Sequence, residues 1–173
     1  MCSELIIMSD MSIQDKFVNF LYPARRVYAH CDIPCGIYDP HQAQIAALTA
    51  VRMNQLIKDL PKEDSNDVSA KLVRYVNIKE EHAELCKKEL RILWADYFKP
   101  EHVEKHPELH DIFWKAMKTA SKTRQDINLE TSEELLEAVR KIAEIFWSTK
   151  GAKTKRQASL QASGGELVYP ISE

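Results

Sequence analysis

The sequence predicts an all-α protein, an up-down four-helix bundle preceded by an irregular N-terminal segment. Three observations carry this. Only four of 173 residues are glycine, too few for the turns of sandwiches and barrels or for a glycine-rich phosphate loop. Four stretches repeat apolar residues every three or four positions, the helical period. Short polar connections with proline and capping residues separate them, as in a bundle.

The first helix starts at Asp39-Pro40, with aspartate as N-cap and proline at the first helical position. Gln42 follows Asp39 at capping-box spacing. Ile45, Leu48, Met53, Leu56 and Leu60 form its apolar stripe, and Pro61 and the polar run after it end the helix. The second runs from about Asp67 to Tyr97 through Val68, Leu72, Tyr75, His82, Cys86, Leu90 and Leu93, and Lys99-Pro100 closes it. The third starts near Pro107 and aligns Leu109, Ile112, Phe113, Ala116, Met117 and Ala120. The fourth starts at Thr131, paired with Glu134 as a capping box, and aligns Leu135, Val139, Ile142 and Phe146. Residues 151–173 are basic, then Gln/Ser/Gly-rich, then apolar at Leu167-Val168-Tyr169-Pro170; nothing in the sequence buries them, and a disordered tail or docking peptide is expected.

Composition narrows the function. A formal net charge of −2 does not suggest a nucleic-acid binder. No apolar run approaches the roughly 18 residues of a membrane span. Residues 1–29 read as a leader to be removed. Val27-x-Ala29 would suit a signal peptidase, but Glu4, Asp10 and Asp15 break the apolar core that a secretory signal needs. A cytoplasmic location is expected.

Three patterns compete as metal sites. His102, His106 and His110 fall at intervals of four, but Pro107 breaks the helix that would align them. His82 and Cys86 also sit four apart, and two ligands are too few. A lone histidine among apolar residues usually belongs to the core. The third pattern lies in residues 30–40: two thiols three residues apart, with a histidine beside the first. That spacing suits a chelate, a Cys31–Cys35 disulfide or two structural thiols. Cys86 reads as a small buried hydrophobe.

The whole string His30-Cys31-Asp32-Ile33-Pro34-Cys35-Gly36-Ile37-Tyr38-Asp39-Pro40 closely resembles the metal hook of nickel superoxide dismutases. The resemblance continues in Ile78-Lys79-Glu80, Ala83-Glu84-Leu85, Leu93-Trp94-x-Asp96-Tyr97-Phe98-Lys99-Pro100, Glu104-Lys105-x-Pro107-Glu108-Leu109-His110 and Ile145-Phe146-Trp147-x-Thr149-Lys150. It covers about residues 30–150.

The resemblance implies a precursor cut between Ala29 and His30 by a processing peptidase, and a homohexamer of bundles. It implies one nickel per subunit, held by the His30 α-amine, the Cys31 amide nitrogen and both thiolates, with the His30 imidazole axial in the oxidised state. Nickel cycling between +3 and +2 would turn one superoxide into dioxygen and another, with two protons, into hydrogen peroxide. Thiolates and a deprotonated amide favour the +3 state; imidazoles and carboxylates alone would leave nickel at +2. Tyr38 is implied over the open face of the metal, with Tyr97 nearby and Asp32 anchoring the hook. Lys99 could steer the anion, although a surface lysine is usually just solvated. In better-known members a glutamate and an arginine support the axial imidazole; Ala46 and His82 occupy those positions here. His82 is a candidate partial replacement for the arginine. The rival readings are a non-enzymatic nickel or zinc carrier with the same hook, and a helical interaction module with a hook disulfide.

Overall fold

The computed structural model describes residues 35–171. The expected leader and five residues of the expected hook, His30, Cys31, Asp32, Ile33 and Pro34, lie outside them. The described chain is mostly helical: α1 (His41–Lys58), α2 (Asn66–Ile92), a π-helical turn over Leu93–Tyr97, the short α3 (Pro100–Lys105), α4 (Leu109–Gln125) and α5 (Leu129–Thr149). Two strands follow, β1 (Lys153–Ala158) and β2 (Glu166–Ile171).

The four long helices pack in a ring, α1 against α2 and α5, and α4 against α2 and α5. Their shared core holds Leu90, Leu93, Leu109, Phe113, Leu135, Val139, Ile142 and Phe146, all nearly inaccessible. Full burial of each such side chain contributes up to about 1.5–3 kcal/mol. The inward face of α1 differs from the expected stripe. It is built of Ala43, Gln44, Ala46, Ala47, Leu48, Ala50, Val51 and Asn54, while Ile45 is exposed. Most of these side chains are small, and small side chains let neighbouring backbones come close.

Local chemistry sets the helix ends. The Asp39 carboxylate accepts the His41 amide at 2.7 Å, so it satisfies a free N–H even though Pro40 is the cap residue. Ser65 Oγ accepts the Val68 amide and starts α2. The α5 cap is Asn128, whose side chain accepts the Thr131 amide at 3.1 Å. Thr131 is therefore the third helical residue and not the cap; the asparagine three residues earlier wins because its carboxamide reaches that amide. The Pro107 start also moves, to Leu109. Lys79 closes α4 from the neighbouring α2. Its buried Nζ donates to the carbonyls of Thr123 (2.7 Å), Arg124 (2.9 Å) and Asp126 (2.7 Å), satisfying acceptors that a helix C-terminus leaves open.

The C-terminal segment is the main correction to the expected fold. Residues 151–171 are ordered as a hairpin, so the chain is not all-α. Gly151 (φ +74°) turns the chain out of α5. β1 and β2 then pair antiparallel with Arg156 opposite Val168. Leu167 and Val168 are almost fully buried. Val168 exchanges two bonds with the buried Gln44 of α1: its amide donates to Oε1 at 2.7 Å, and its carbonyl accepts from Nε2 at 3.1 Å. Alternate residues of an antiparallel strand turn both backbone groups away from the partner strand, and Gln44 covers the outward pair at Val168. On the other strand, Arg156 donates to Glu137 (2.9 and 3.0 Å) and Glu144 (2.7 Å) of α5. A glutamine on α1 and an acidic pair on α5 thus supply the burying partner that the tail lacks by itself.

Candidate metal centre

The string that resembles the metal hook reaches the described residues at Cys35, which is exposed. Gly36 follows with φ +70°, a left-handed conformation that glycine adopts without a Cβ clash. Half-buried Tyr38 then meets Tyr97, ring centroids 5.6 Å apart and tilted 55°. The chain enters α1 three residues later, at His41.

Tyr97 ends the π-helical turn, where the Phe98 amide donates to the Leu93 carbonyl at 3.0 Å, five residues back. Its ring lies 4.4 Å from that of Phe146, 5.1 Å edge-on from Phe98 and 5.6 Å from a stacked His102. The Lys150 ammonium sits 5.5 Å from its centroid. Its hydroxyl is 2.6 Å from Thr149 Oγ1. Phe98 continues the aromatic floor onto Phe113, 5.3 Å away, which Trp94 also touches at 5.2 Å. Two tyrosines well separated in sequence, Tyr38 and Tyr97, are thus brought together.

The competing histidine pattern is taken apart. His102 Nδ1 accepts the Lys99 amide at 3.2 Å, His106 Nε2 lies 3.2 Å from Ser148 Oγ, and His110 packs on Trp94 at 5.4 Å. Each ring has its own local partner. Among the described residues no three His, Cys, Asp or Glu side chains are grouped to hold a metal ion.

His82 is half-buried, and its Nδ1–H donates to the Ile78 carbonyl one turn back on α2 at 3.0 Å. That bond leaves Nε2 of the neutral ring as an acceptor. Ala46 is buried and offers only a methyl group. Cys86 is wholly enclosed, and burial, with a smaller contribution from Glu89, pushes its thiol far above the usual range. It is no thiolate ligand. Of the two described cysteines only the exposed Cys35 suits a metal. An exposed thiol is a soft donor suited to a transition metal; the nitrogen donors of the string lie outside the described residues. Periodicity had not flagged Thr149, His102 or Phe146 as neighbours of Tyr97; the one available signal was that Phe146 and Thr149 fall in a block resembling the family.

The comparisons with known proteins agree with one another. The family model described as nickel-containing superoxide dismutase matches residues 25–150. The nickel superoxide dismutase of Streptomyces seoulensis is 41% identical over 130 residues, which is 75% of this chain and 95% of that protein. That of Streptomyces coelicolor is 40% identical over the same shares. A crystal structure of a nickel-containing superoxide dismutase with oxidised-state nickel ligation superposes with a TM-score of 0.64 at 40% identity, covering 71% of this chain and all of that one. A metal-free nickel superoxide dismutase gives 0.60 at 35% identity, covering 67% and 99%. No helix among the described residues is long and apolar enough to cross a membrane. The hairpin over 153–171 lies beyond the matched stretch. This chain therefore belongs to the family of nickel-containing superoxide dismutases.

Proposed function

We propose that the catalytic centre is the segment from His30 to Pro40, made competent by a cut between Ala29 and His30. The activity itself, nickel-dependent dismutation of superoxide, comes with the family. What carries the site assignment is the His-Cys-Asp-x-Pro-Cys-Gly-x-Tyr-Asp-Pro string inside the matched stretch. His30, Cys31 and Cys35 would hold the nickel, the cut releasing the His30 α-amine as a further nitrogen donor. Bound there, nickel supplies a one-electron couple that superoxide can both reduce and oxidise.

The protein's own residues bind and exclude. Tyr38 narrows the approach to small anions, and Tyr97 backs it through their ring contact. Asp32 anchors the hook by hydrogen bonds. His82 partly replaces the family arginine. We read the ring of long helices as an up-down four-helix bundle with the hook ahead of its first helix; the short connections at 59–65 and 126–128 support this. We further propose a homohexamer, a leader-processing peptidase as partner, and a cytoplasmic location, where thiols stay reduced until nickel binds.

The test compares nickel-loaded full chain with nickel-loaded protein starting at His30. Dismutation by the cut form alone supports the assignment. Equal activity of the uncut chain overturns the role of the cut. Nickel bound by the cut form without activity turns the reading towards a nickel carrier.

A further inference from the structure

Two tyrosines stand at the proposed centre, and by residue type either could give a proton. For Tyr97 the hydrogen bonds decide the matter. Tyr97 Oη and Thr149 Oγ1 are 2.6 Å apart, and that contact alone allows either oxygen to donate. Thr149 has a single hydroxyl proton, however, and its Oγ1 donates to the Phe146 carbonyl at 2.7 Å. A carbonyl can only accept. The proton between Tyr97 and Thr149 is therefore the tyrosine's, and the chain of donors runs from Tyr97 through Thr149 into the backbone of α5.

Ring packing does not duplicate this. Phe146, Phe98 and His102 fix where the Tyr97 ring lies. None of them fixes the rotation of its O–H about the C–O bond. Thr149 does, and its own rotor is tied to a carbonyl three residues back in the same helix.

We infer that Thr149 is a positioning residue for the metal centre: it holds the hydroxyl proton of Tyr97, so that Tyr97 meets the site as a hydrogen-bond acceptor and not as a proton donor. The inference rests on the proposed placement of Tyr38 and Tyr97 beside the metal. It has a chemical consequence. Superoxide has no proton to offer an acceptor oxygen, whereas water and hydrogen peroxide do. Tyr97 thus favours the protonated guest over the anion and is not the source of the two protons that leave in hydrogen peroxide.

The test uses Thr149→Val, which keeps the shape and removes the acceptor, Thr149→Ser, which restores it, and Tyr97→Phe. The first readout is the tyrosine Cζ carbon resonance in the metal-free full chain, the Tyr97 signal being the one lost in Tyr97→Phe. Valine should move that signal and serine should leave it. The second readout is kcat/KM of the nickel-loaded, processed protein. Valine should lower it by about fivefold to tenfold, in keeping with one neutral hydrogen bond, and serine should restore it. In the Tyr97→Phe background valine should have no further effect. An unmoved Cζ signal in Thr149→Val overturns the inference. So does a moved signal with unchanged kinetics, or a valine effect that persists without the Tyr97 hydroxyl. Unsubstituted protein that binds nickel yet fails to dismute superoxide overturns the site assignment itself, an outcome visible before any variant is made.

Discussion

Replacing Gln44 by leucine isolates the contact that holds the C-terminal hairpin to the helices. The side chain is fully buried, and its amide satisfies both backbone groups of Val168, itself 2% exposed. Leucine keeps the volume and removes both partners. A buried backbone group left without a partner costs about 1–3 kcal/mol, so two cost about 2–6. Leucine's greater apolarity returns about 1 kcal/mol. The expected net loss is about 3 kcal/mol, or roughly 6–12 °C in midpoint for a chain of this size. The assay is thermal unfolding of the full chain, with hydrogen exchange at the Val168 amide as a local probe. The hairpin can also limit the damage by detaching. In that case the midpoint falls less, but the Val168 amide exchanges freely and proteolysis trims the chain after Gly151. A midpoint within 2 °C of the unsubstituted protein (roughly the effect of less than 1 kcal/mol), together with unchanged protection at Val168, would refute the reasoning.

Three further expectations concern the same framework. Lys79→Met leaves three carbonyls near the end of α4 without their donor; a loss of about 3 kcal/mol is expected in urea unfolding, and an unchanged midpoint would show that water takes over the cap. Burial raises the Glu137 carboxyl, but hydrogen bonds from Arg156 and Arg140 outweigh it and hold the group below the ordinary carboxylate range. A folded-state value lowered in this way contributes stability in full above the unfolded value of about 4.3 and loses it as pH falls below that. Hairpin protection should therefore weaken on acidification below about pH 4.3, and a Glu137→Gln variant should lack that step. Finally, the enclosed Cys86 should resist alkylation until the protein unfolds, while the exposed Cys35 should react in metal-free protein and be shielded by nickel; rapid native-state labelling of Cys86 would contradict the packing.

The helices were legible because their apolar residues recur at helical spacing, and the candidate centre because an unusual donor string is local in sequence. What stayed hidden depends on partners far along the chain. β1 reads Lys-Thr-Lys-Arg-Gln-Ala, with no apolar alternation to mark a strand. Its counterpart buries two adjacent residues, Leu167 and Val168, where a strand with one open face would bury alternate ones. The signal for order was a glutamine 124 positions earlier, outside the apolar stripe expected of α1. The inward face of α1 was misread for a related reason: close packing selects its alanines, and hydrophobicity scales draw the eye to Ile45. Thr149 escaped notice because its importance lies in the direction of one proton, which no spacing records.

The wide turn at Leu93–Tyr97 works like a counting device. An α-helix advances about 100° per residue, so the extra residue of one π turn re-aims everything that follows by about that angle. The aromatic run at the end of α2 thereby meets two surfaces at once, Tyr97 against Phe146 and Phe98 against Phe113. The tyrosine's address is thus written in chain length as much as in side-chain chemistry. Exchange of Ala95, exposed within the turn, leaves that count intact, whereas its deletion would hand the position of Tyr97 to another residue. Length polymorphism at this one place is therefore harder for the centre to absorb than most changes of residue type.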